Sequence, residues 1–236
     1  MNRKILAIIP ARGGSKGVPG KNLKLLARMP LIDHTLSFAV QSNVFDRIVL
    51  TSDDEKICER AQEYGVQIIT RPEALARDNS LVVDAMVHVL EQLAKESYEP
   101  EFIFLLEPTA PVRDRGELLE AVSALEDGYD SVASFCETNP PASRIWLRDK
   151  DRIEPLMSGA DPFLPRQQQT PGYRLTGQYY GFRKHLFSGT VSQLPLTGRI
   201  YPLITDAESV VDIDREIDFF IAEQVLKARE HRQAGK

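Results

Sequence analysis

The stretch ILAIIPARGGSKGVPGKN, residues Ile5–Asn22, joins an apolar run directly to a loop rich in glycine and in cations. The run Ile5–Ile9 is typical of a strand that is buried on both faces, as in a parallel sheet covered by helices. The loop interleaves glycines with Arg12, Lys16 and Lys21. Because glycine lets backbone N–H groups approach phosphate oxygens, we expect an α/β fold with a phosphate-binding loop after its first strand.

The loop does not match the common nucleotide-binding motifs. A P-loop would need glycine where Ser15 stands and serine or threonine where Asn22 stands, and the loop contains no G-x-G-x-x-G. A solvent-exposed glycine turn with unrelated cations is the alternative interpretation. The position of the loop after a strongly apolar strand favours phosphate binding, through Arg12 and Lys21 more than through Lys16.

The composition restricts the class of protein. The 236 residues are 42% hydrophobic and 27% charged, with a net charge of −5. A chain of this length buries a sizeable core, and an acidic chain without a long basic run is a poor candidate for binding nucleic acid or an anionic membrane. Cys58 and Cys136 lie far apart without zinc-ligand spacing. We expect a cytoplasmic protein with no membrane span and no signal peptide.

Apolar runs of strand length alternate with helical stretches along most of the chain. This pattern predicts a mostly parallel sheet with helices on both faces. The predicted strands are Ile5–Ile9, Ile48–Leu50, Val66–Ile69, Phe102–Leu106, Gln178–Phe182 and Ile200–Ile204. The predicted helices are Leu31–Gln41, Glu55–Tyr64, Val82–Lys95, Glu117–Glu126 and Glu216–Arg229.

Polar residues cluster directly after the first four strands. They are Arg12 after the first, Thr51–Asp54 after the second, Arg71 after the third and Glu107–Thr109 after the fourth. Ligands of open parallel sheets bind outside the carboxyl ends of the strands, so these segments are expected to meet in one crevice. Within the second segment, Asp53 and Asp54 are better explained as helix N-caps than as catalytic groups.

The sequence VDID at residues 211–214 is the candidate metal site. In extended backbone, Asp212 and Asp214 share one face while Ile213 points to the interior. Mg²⁺ is commonly held by one or two carboxylates together with waters and substrate phosphates. Asp214 as a plain helix cap, with Asp212 solvated, is the alternative. Asp218 is expected either to support the metal site or to stabilise the helix N-terminus.

The alternation of strands and helices breaks within residues 139–172. This stretch holds six of the fifteen prolines but keeps apolar residues such as Trp146, Leu147 and Phe163. We therefore interpret the chain as one domain, residues 1–236, with residues 139–172 as an inserted arm. A projecting apolar arm needs a partner surface, which predicts a homodimer. Arg166 and Arg174 near the arm are candidates for gripping a carboxylate or phosphate by paired hydrogen bonds.

Five segments in order along the chain resemble the N-acylneuraminate cytidylyltransferases. They are IIPARGGSKGVPGKN, RPEALARD, LLEPTAPVR, PRQQQTPGYRLTG and VDIDREIDF. The resemblance covers nearly the whole chain. It implies a Rossmann-like nucleotidyltransferase fold, a homodimer formed by the arm, CTP as co-substrate and Mg²⁺ as cofactor.

With this resemblance the candidate residues fall into three groups. Arg12, Lys21, Asp212 and Asp214 are assigned to catalysis, the two aspartates as metal ligands. The nucleotide group is Arg12, Gly13, Gly14, Ser15, Lys21, Asn22, Arg71, Glu107 and Thr109, with Arg71 near the base and sugar of CTP. The acceptor-sugar group is Arg144, Arg166, Gln167, Arg174, Thr176 and Tyr179, contributed in part by a partner subunit.

Three residues depart from the pattern of the family. Glu107 stands where members usually have glutamine, Thr176 where many have asparagine, and Val82 where a hydroxyl residue is common. The first two change the hydrogen-bond donors and acceptors that the pocket offers. They bear on which acceptor is used and leave the fold prediction unchanged.

The predicted reaction transfers CMP from CTP to the anomeric hydroxyl of a nine-carbon 2-keto sugar acid. N-acetylneuraminate is the first acceptor considered, with legionaminate or pseudaminate next. The alternatives are another sugar nucleotidyltransferase that acts on a sugar phosphate, and an inactive nucleotide- or sugar-binding regulator. Retention of Arg12, Lys21, Asp212 and Asp214 together argues against the regulator.

Overall fold

A computed structural model describes residues 3–14, 17–77, 79–189 and 191–234. Ser15 and Lys16, both in the glycine-rich loop, lie outside these ranges. The strands are β1 Ile5–Pro10, β2 Leu25–Leu26, β3 Met29–Pro30, β4 Arg47–Ser52, β5 Gln67–Thr70, β6 Phe102–Leu105, β7 Ser131–Glu137, β8 Trp146–Asp149, β9 Arg152–Pro155, β10 Tyr173–Arg183 and β11 Ile200–Ile204.

Seven of these strands form one mixed sheet in the order β11-β7-β10-β6-β1-β4-β5. β1 pairs parallel with both β4 and β6, β4 pairs parallel with β5, and β11 pairs parallel with β7. β10 runs antiparallel to its neighbours β6 and β7. The predicted mostly parallel sheet is confirmed, and a single antiparallel strand lies inside it.

Helices cover both faces of the sheet. They are α1 Leu31–Ser42, α2 Glu55–Glu63, α3 Glu73–Ala76, α4 Val82–Lys95, α5 Arg115–Glu126 and α6 Glu216–Ala234. Alternate residues of β1 point to opposite sides, as the two-residue period of a strand requires. Ile9 packs with residues of α1, α2 and α5, while Ile8 packs with residues of α4. Among the described residues, no helix combines the length and apolar character needed to cross a bilayer.

The sequence pattern located most elements within a few residues but did not predict β7. This strand reads SVASFCE, and its small polar residues Ser131 and Ser134 are fully buried. Such a composition lacks both the apolar run and the alternation that identify a strand. The pattern also gave β10 as Gln178–Phe182, whereas the strand begins at Tyr173 and changes register between Leu175 and Tyr180.

The predicted arm leaves and rejoins the sheet at one place. The Thr138 N–H donates to the Gly172 carbonyl at 2.8 Å, which closes the base of the segment. Inside it, β8 and β9 form an antiparallel hairpin in which every residue is exposed. The side chains with the most exposed apolar surface include Phe163, which is 89% exposed, and Ile153, which is 65% exposed.

Candidate active site

The carboxyl ends of β1, β5 and β6 open into one cleft of about 420 Å³. Asp53, after β4, contacts the glycine-rich loop. Right-handed connections and a shared strand direction bring these ends to the same edge of the sheet. Seven residues named by the sequence analysis line this cleft: Arg12, Lys21, Asn22, Arg71, Glu107, Thr109 and Asp214. Val82, at the start of α4, lines it as well.

The glycine-rich loop is held against the segment that carries the two aspartates. The Asn22 side-chain amide donates to the Arg12 carbonyl at 3.0 Å, and the Gly13 N–H donates to Asp53 Oδ1 at 3.0 Å. A Cβ atom at Gly17 would lie 2.2 Å from the Asp214 carbonyl oxygen. This close backbone approach is the physical reason for glycine at residue 17.

Lys21 links the loop to the aspartates directly. Its Nζ donates to the Ile213 carbonyl at 2.6 Å and to Asp214 Oδ1 at 3.1 Å. The lysine side chain is 12% exposed, whereas that of Asp214 is 72% exposed. A positive charge is therefore fixed at the floor of the cleft, within reach of any anion that enters it.

Arg71 lies at the end of β5 with its guanidinium largely buried. One terminal nitrogen donates to the Thr51 carbonyl at 2.9 Å, while Nε has no hydrogen-bond partner among the described residues. Burial lowers the pKa of Arg71, and the charge of nearby Asp53 opposes this. A buried donor without a partner is costly, so Arg71 is suited to hold a ligand that supplies an acceptor.

Ile213 sets the orientation of the two candidate metal ligands. Its side chain is fully buried, and its N–H donates to the Thr109 carbonyl at 2.8 Å. Asp212 and Asp214, on either side, are both exposed. Displacement of water by neighbouring atoms raises the pKa of Asp212, the Thr109 side chain opposes this, and the Asp214 carboxylate raises it further.

Asp218 fixes the chain immediately after these aspartates. Its Oδ2 accepts hydrogen bonds from the Asp214 N–H at 3.0 Å and the Arg215 N–H at 2.7 Å. Burial opposes ionisation, but these two hydrogen bonds lower the pKa of Asp218 below its ordinary value. Asp218 therefore acts through the backbone at the start of α6. After β4, Asp54 caps α2 as predicted, whereas Asp53 is not the cap and accepts from the Gly13 N–H.

The donor set fits a Mg²⁺ ion that also binds substrate phosphates. Asp212 and Asp214 offer hard oxygen ligands, and their mutual repulsion would be relieved by a cation. Across the described part of the chain, no group of three or more His, Cys, Asp or Glu side chains forms a metal cage. Waters and phosphates would therefore supply the remaining ligands.

Glu107 lines the cleft as a second acidic group besides Asp214. The pKa of Glu107 is raised to about 7 because the carboxyl group is largely shielded from water and faces Asp212. The nearby charge of Arg113 lowers this pKa, Asp214 raises it, and Lys21 lowers it. The carboxyl group therefore lies between the two aspartates and two cations.

Arg113 is a buried cation that the sequence analysis did not assign. Its guanidinium donates to the Gln178 carbonyl at 2.9 Å, the Thr35 hydroxyl at 2.9 Å and the Glu107 carbonyl at 2.6 Å. Burial lowers the pKa of Arg113 to about 10. Arg113 therefore ties the end of β6 to β10 and to α1.

The structure corrects the prediction for Tyr179, which was placed in the acceptor group. Tyr179 is fully buried, and its hydroxyl donates to the Asp114 carbonyl at 2.7 Å and accepts from the Asp114 N–H at 2.8 Å. Its neighbour Tyr180 points to the opposite face of β10 and faces Glu107 and Asp212. The sequence pattern did not predict which of the two tyrosines faces the core, because the register of β10 changes between Leu175 and Tyr180.

The other acceptor candidates are not gathered around the cleft. The Thr176 side chain is buried and donates to the Ser134 hydroxyl at 2.6 Å. Arg174 is exposed on β10, and its charge lowers the pKa of Asp212. Arg144, Arg166 and Gln167 lie exposed in the arm, where the Arg144 Nε donates to the Pro162 carbonyl at 2.9 Å.

Comparison with known proteins identifies the family. A profile described as cytidylyltransferase matches residues 6–213. The chain belongs to the cytidylyltransferase family, and the resemblance to N-acylneuraminate cytidylyltransferases is confirmed.

Two relatives differ in how much of their length the chain covers. The chain is 33% identical to the N-acylneuraminate cytidylyltransferase of Escherichia coli, over 99% of the chain and 54% of that protein. It is 31% identical to the CMP-N,N'-diacetyllegionaminic acid synthase of Legionella pneumophila, over 95% of the chain and 97% of that protein. The chain thus spans about half the length of the first relative and nearly all of the second.

Solved structures share the fold. The CMP:2-keto-3-deoxy-manno-octonic acid synthetase complexed with CTP superposes with a TM-score of 0.69 at 17% identity, covering 96% of this chain and 99% of that one. The 4-diphosphocytidyl-2C-methyl-D-erythritol synthase of Anaerococcus prevotii gives a TM-score of 0.63 at 14% identity, covering 95% and 96%. The predicted Rossmann-like nucleotidyltransferase fold is therefore confirmed.

Proposed function

We propose that the protein transfers CMP from CTP to the anomeric hydroxyl of a nonulosonic acid and releases pyrophosphate. The observation that carries this proposal is the convergence of Lys21 and Asp214 in the cleft, where the phosphate-binding loop is bonded to the candidate metal ligands. Positioning and charge neutralisation are the main requirements of phosphoryl transfer, and this arrangement supplies both.

The residues of the loop bind the triphosphate. Arg12 and Lys21 offset charge on the β- and γ-phosphates, which carry the negative charge of the leaving pyrophosphate. Gly14 and Ser15 belong to the same loop, in which the Gly13 N–H donates to Asp53 Oδ1 and the Asn22 amide donates to the Arg12 carbonyl. Arg71 donates to the base and sugar part of CTP.

Asp212 and Asp214 would hold Mg²⁺. When bound, the ion supplies Lewis-acid polarisation of the phosphoryl oxygens. In the transfer itself, the acceptor hydroxyl oxygen forms a bond to the α-phosphorus, the bond to the β-phosphate oxygen breaks, and the hydroxyl proton is released. Asp218 keeps the aspartates aimed at the cleft through the backbone of residues 214 and 215.

The acceptor is a nonulosonic acid, with N-acetylneuraminate first and N,N'-diacetyllegionaminate second. The second acceptor is favoured by the Legionella pneumophila relative, because this chain spans 97% of that protein. Arg174 binds the acceptor carboxylate, a role supported by the paired hydrogen bonds that an arginine offers to a carboxylate and by the effect of its charge on the pKa of Asp212. Residues Arg144, Arg166 and Gln167 of the arm complete the acceptor site of a partner subunit in a homodimer.

The reaction takes place in the cytoplasm, which supplies both CTP and Mg²⁺. The test measures pyrophosphate release from CTP and Mg²⁺ with N-acetylneuraminate, N,N'-diacetyllegionaminate, pseudaminate, an eight-carbon 2-keto acid and glucose 1-phosphate. We expect turnover with one or more of the nine-carbon acids. Turnover with glucose 1-phosphate alone would favour a sugar-phosphate nucleotidyltransferase, and CTP binding without turnover would favour a regulator.

A further inference from the structure

Arg113 is a buried cation that core packing does not explain. The residue is 5% exposed, and it forms no ion pair with any residue that the structure describes. Burying a charge without an ion pair is costly, and a well-packed apolar residue of similar volume often gives a more stable core. The arginine must therefore be explained by what its hydrogen bonds hold in place.

The guanidinium group joins three elements that are distant in sequence. Its Nε donates to the Gln178 carbonyl of β10, its Nη1 to the Thr35 hydroxyl of α1, and its Nη2 to the Glu107 carbonyl after β6. The contact to the Glu107 carbonyl is the shortest of the three, at 2.6 Å. The planar fork of an arginine offers donors in several fixed directions, whereas a lysine has a single nitrogen.

The Glu107 carbonyl begins a turn that forms one wall of the cleft. The Ala110 N–H donates to the same carbonyl at 3.2 Å, which closes the turn Glu107–Ala110. Glu107 and Thr109 of this turn line the cleft. Arg113 therefore holds the turn at its first residue.

Thr109 connects this turn to the candidate metal ligands. Its carbonyl accepts from the Ile213 N–H at 2.8 Å. Its side chain is hydrogen-bonded to the Asp212 carboxylate. A continuous series of contacts therefore leads from Arg113, through the turn, to the segment that carries both aspartates.

We infer that Arg113 is a positioning residue of the metal site, which holds the turn Glu107–Ala110 and, through Thr109, fixes where the Asp212 carboxylate lies. This inference rests on the proposed function, in which Asp212 and Asp214 bind Mg²⁺. Arg113 acts through these residues and is not itself a ligand of the ion. Partners that orient a metal ligand strengthen metal binding, because they fix the ligand in its binding geometry.

The test compares Arg113→Gln with the matched control Thr35→Val. The control breaks one of the three hydrogen bonds of Arg113, on the α1 side, and leaves the contact to the turn in place. Mn²⁺ is the probe for the metal site, because electron paramagnetic resonance distinguishes the free ion from the bound ion. Titration without nucleotide or acceptor measures the affinity for Mn²⁺, and urea unfolding measures the stability of each variant.

Loss of a residue that orients a metal ligand commonly costs about 10–100-fold in metal affinity, so Arg113→Gln should weaken Mn²⁺ binding by ~10-fold. Thr35→Val should lower the free energy of unfolding and leave the affinity for Mn²⁺ unchanged. Arg113→Lys is a milder variant that keeps the charge but not the fork, and it should also weaken Mn²⁺ binding. Wild-type affinity for Mn²⁺ in either folded Arg113 variant, or an equal loss in Thr35→Val, would overturn the inference.

A double-mutant cycle tests the route through Thr109. Thr109→Val removes the hydroxyl that contacts Asp212 and should itself weaken Mn²⁺ binding. If Arg113 acts through Thr109, the loss in the double variant should be smaller than the sum of the two single losses, because residues in one network are not additive. Additive losses would show another route and would overturn the inference.

Asp212→Ala separates this inference from the proposed function. Mn²⁺ binding that is unchanged in Asp212→Ala would remove the metal site and the inference together. Mn²⁺ binding that depends on Asp212, in a protein that uses none of the nine-carbon acids, would remove the proposed reaction and leave the role of Arg113 standing.

Discussion

Asp212 and Asp214 are oriented by the backbone of Ile213, the residue between them. Ile213 is buried between them and donates its N–H to the Thr109 carbonyl, so the backbone itself turns both carboxylates away from the core. Lys21 bonds to the same segment at the Ile213 carbonyl. The loop that carries Lys21, the segment that carries Thr109 and the aspartate segment are distant in sequence, and hydrogen bonds join them at Ile213.

Replacing either aspartate should remove a ligand of Mg²⁺, and Asp214→Ala also removes the ion pair with Lys21. We expect Asp212→Ala and Asp214→Ala each to lower turnover at least ~100-fold, the scale of losing an electrostatic stabiliser of the transition state. Pyrophosphate release over a range of Mg²⁺ concentrations measures this. Asp151→Ala, at the exposed turn of the hairpin, is the control, and near-normal Mg²⁺-dependent turnover of both variants would contradict the assignment.

Tyr179 should contribute to stability and not to acceptor binding. Tyr179→Phe removes a hydroxyl that bonds to both the N–H and the carbonyl of Asp114. We expect the free energy of unfolding to fall by about 1–2 kcal/mol, while the acceptor KM stays unchanged. Urea unfolding and steady-state kinetics measure the two effects. Tyr180→Phe is the comparison on the other face of β10, and a raised acceptor KM with unchanged stability in Tyr179→Phe would restore the original assignment.

Glu117 should make the stability depend on pH. Burial, together with the Asp114 carboxylate, raises the pKa of Glu117 from 4.5 to about 7. The folded state therefore binds this proton more tightly than the unfolded chain does. The resulting contribution of Glu117 to the free energy of unfolding is complete below pH 4.5 and is lost as the pH rises through about 7.

Glu117→Gln cannot ionise and should gain about 1 kcal/mol of stability relative to wild type between pH 5 and pH 8, because partial exposure of the carboxyl group screens the roughly 2.5 kcal/mol that the full pKa shift would give. Urea unfolding at both pH values measures the difference, with Glu91→Gln on the exposed face of α4 as the control. An equal effect of Glu117→Gln at both pH values would show that Glu117 has the same pKa in the folded and unfolded chain.

At the scale of elements, the glycine-rich loop and the aspartate segment form one unit. Gly17 lies against the Asp214 carbonyl, and Lys21 donates to the Ile213 carbonyl and to the Asp214 carboxylate. The Thr109 carbonyl joins the segment after β6 to the same unit. The candidate phosphate-binding and metal-binding residues are therefore held at fixed positions relative to each other, because backbone contacts join the three loops that carry them.

Gly17→Ala should separate these loops. The added methyl group would meet the Asp214 carbonyl at 2.2 Å, so one backbone segment must move. Since small misplacement of positioned groups is costly to catalysis, we expect turnover to fall ~100-fold and the thermal midpoint to fall as well. Gly14→Ala, where nothing lies within 4 Å, should leave the thermal midpoint unchanged. Wild-type turnover and midpoint in Gly17→Ala would contradict this account.

At the scale of the whole molecule, the arm exposes apolar side chains that a single copy leaves in water. Trp146, Leu147, Ile153 and Phe163 are 46%, 58%, 65% and 89% exposed, respectively. A concentration of exposed apolar side chains in one segment is typical of an association site. A second copy is the simplest partner, because symmetric association buries the same surface twice.

We expect the protein to sediment as a dimer at micromolar concentration. Phe163→Asp should shift it toward monomer, since burying an unpaired charge at an interface is unfavourable. Analytical ultracentrifugation measures the state, with Leu119→Asp on α5 as an exposed control outside the arm. If the arm of a partner completes the acceptor site, the monomeric variant should also lose turnover. A fully active monomer would remove both the dimer and the shared site.

The sequence by itself determined that β1, β4, β5 and β6 run parallel and that a cleft lies at the carboxyl edge of the sheet they form. Apolar runs such as Ile5–Ile9, followed by helices and then by polar residues, require this arrangement, because parallel strands share one edge. The pair Asp212 and Asp214 was also predictable, since a two-residue spacing in extended backbone places both side chains on one face.

Tertiary structure alone decided the residues whose surroundings are set by distant segments. β7 is buried despite its serines because β10 and β11 pair with it on both sides. The register change in β10 turns Tyr179 into the core and Tyr180 toward Glu107. Arg113 and Glu107 acquire their environments from strands on either side of β6. The burial and the electrostatic environment of a side chain depend on residues that are near in space but distant in sequence. A local sequence pattern does not contain this information.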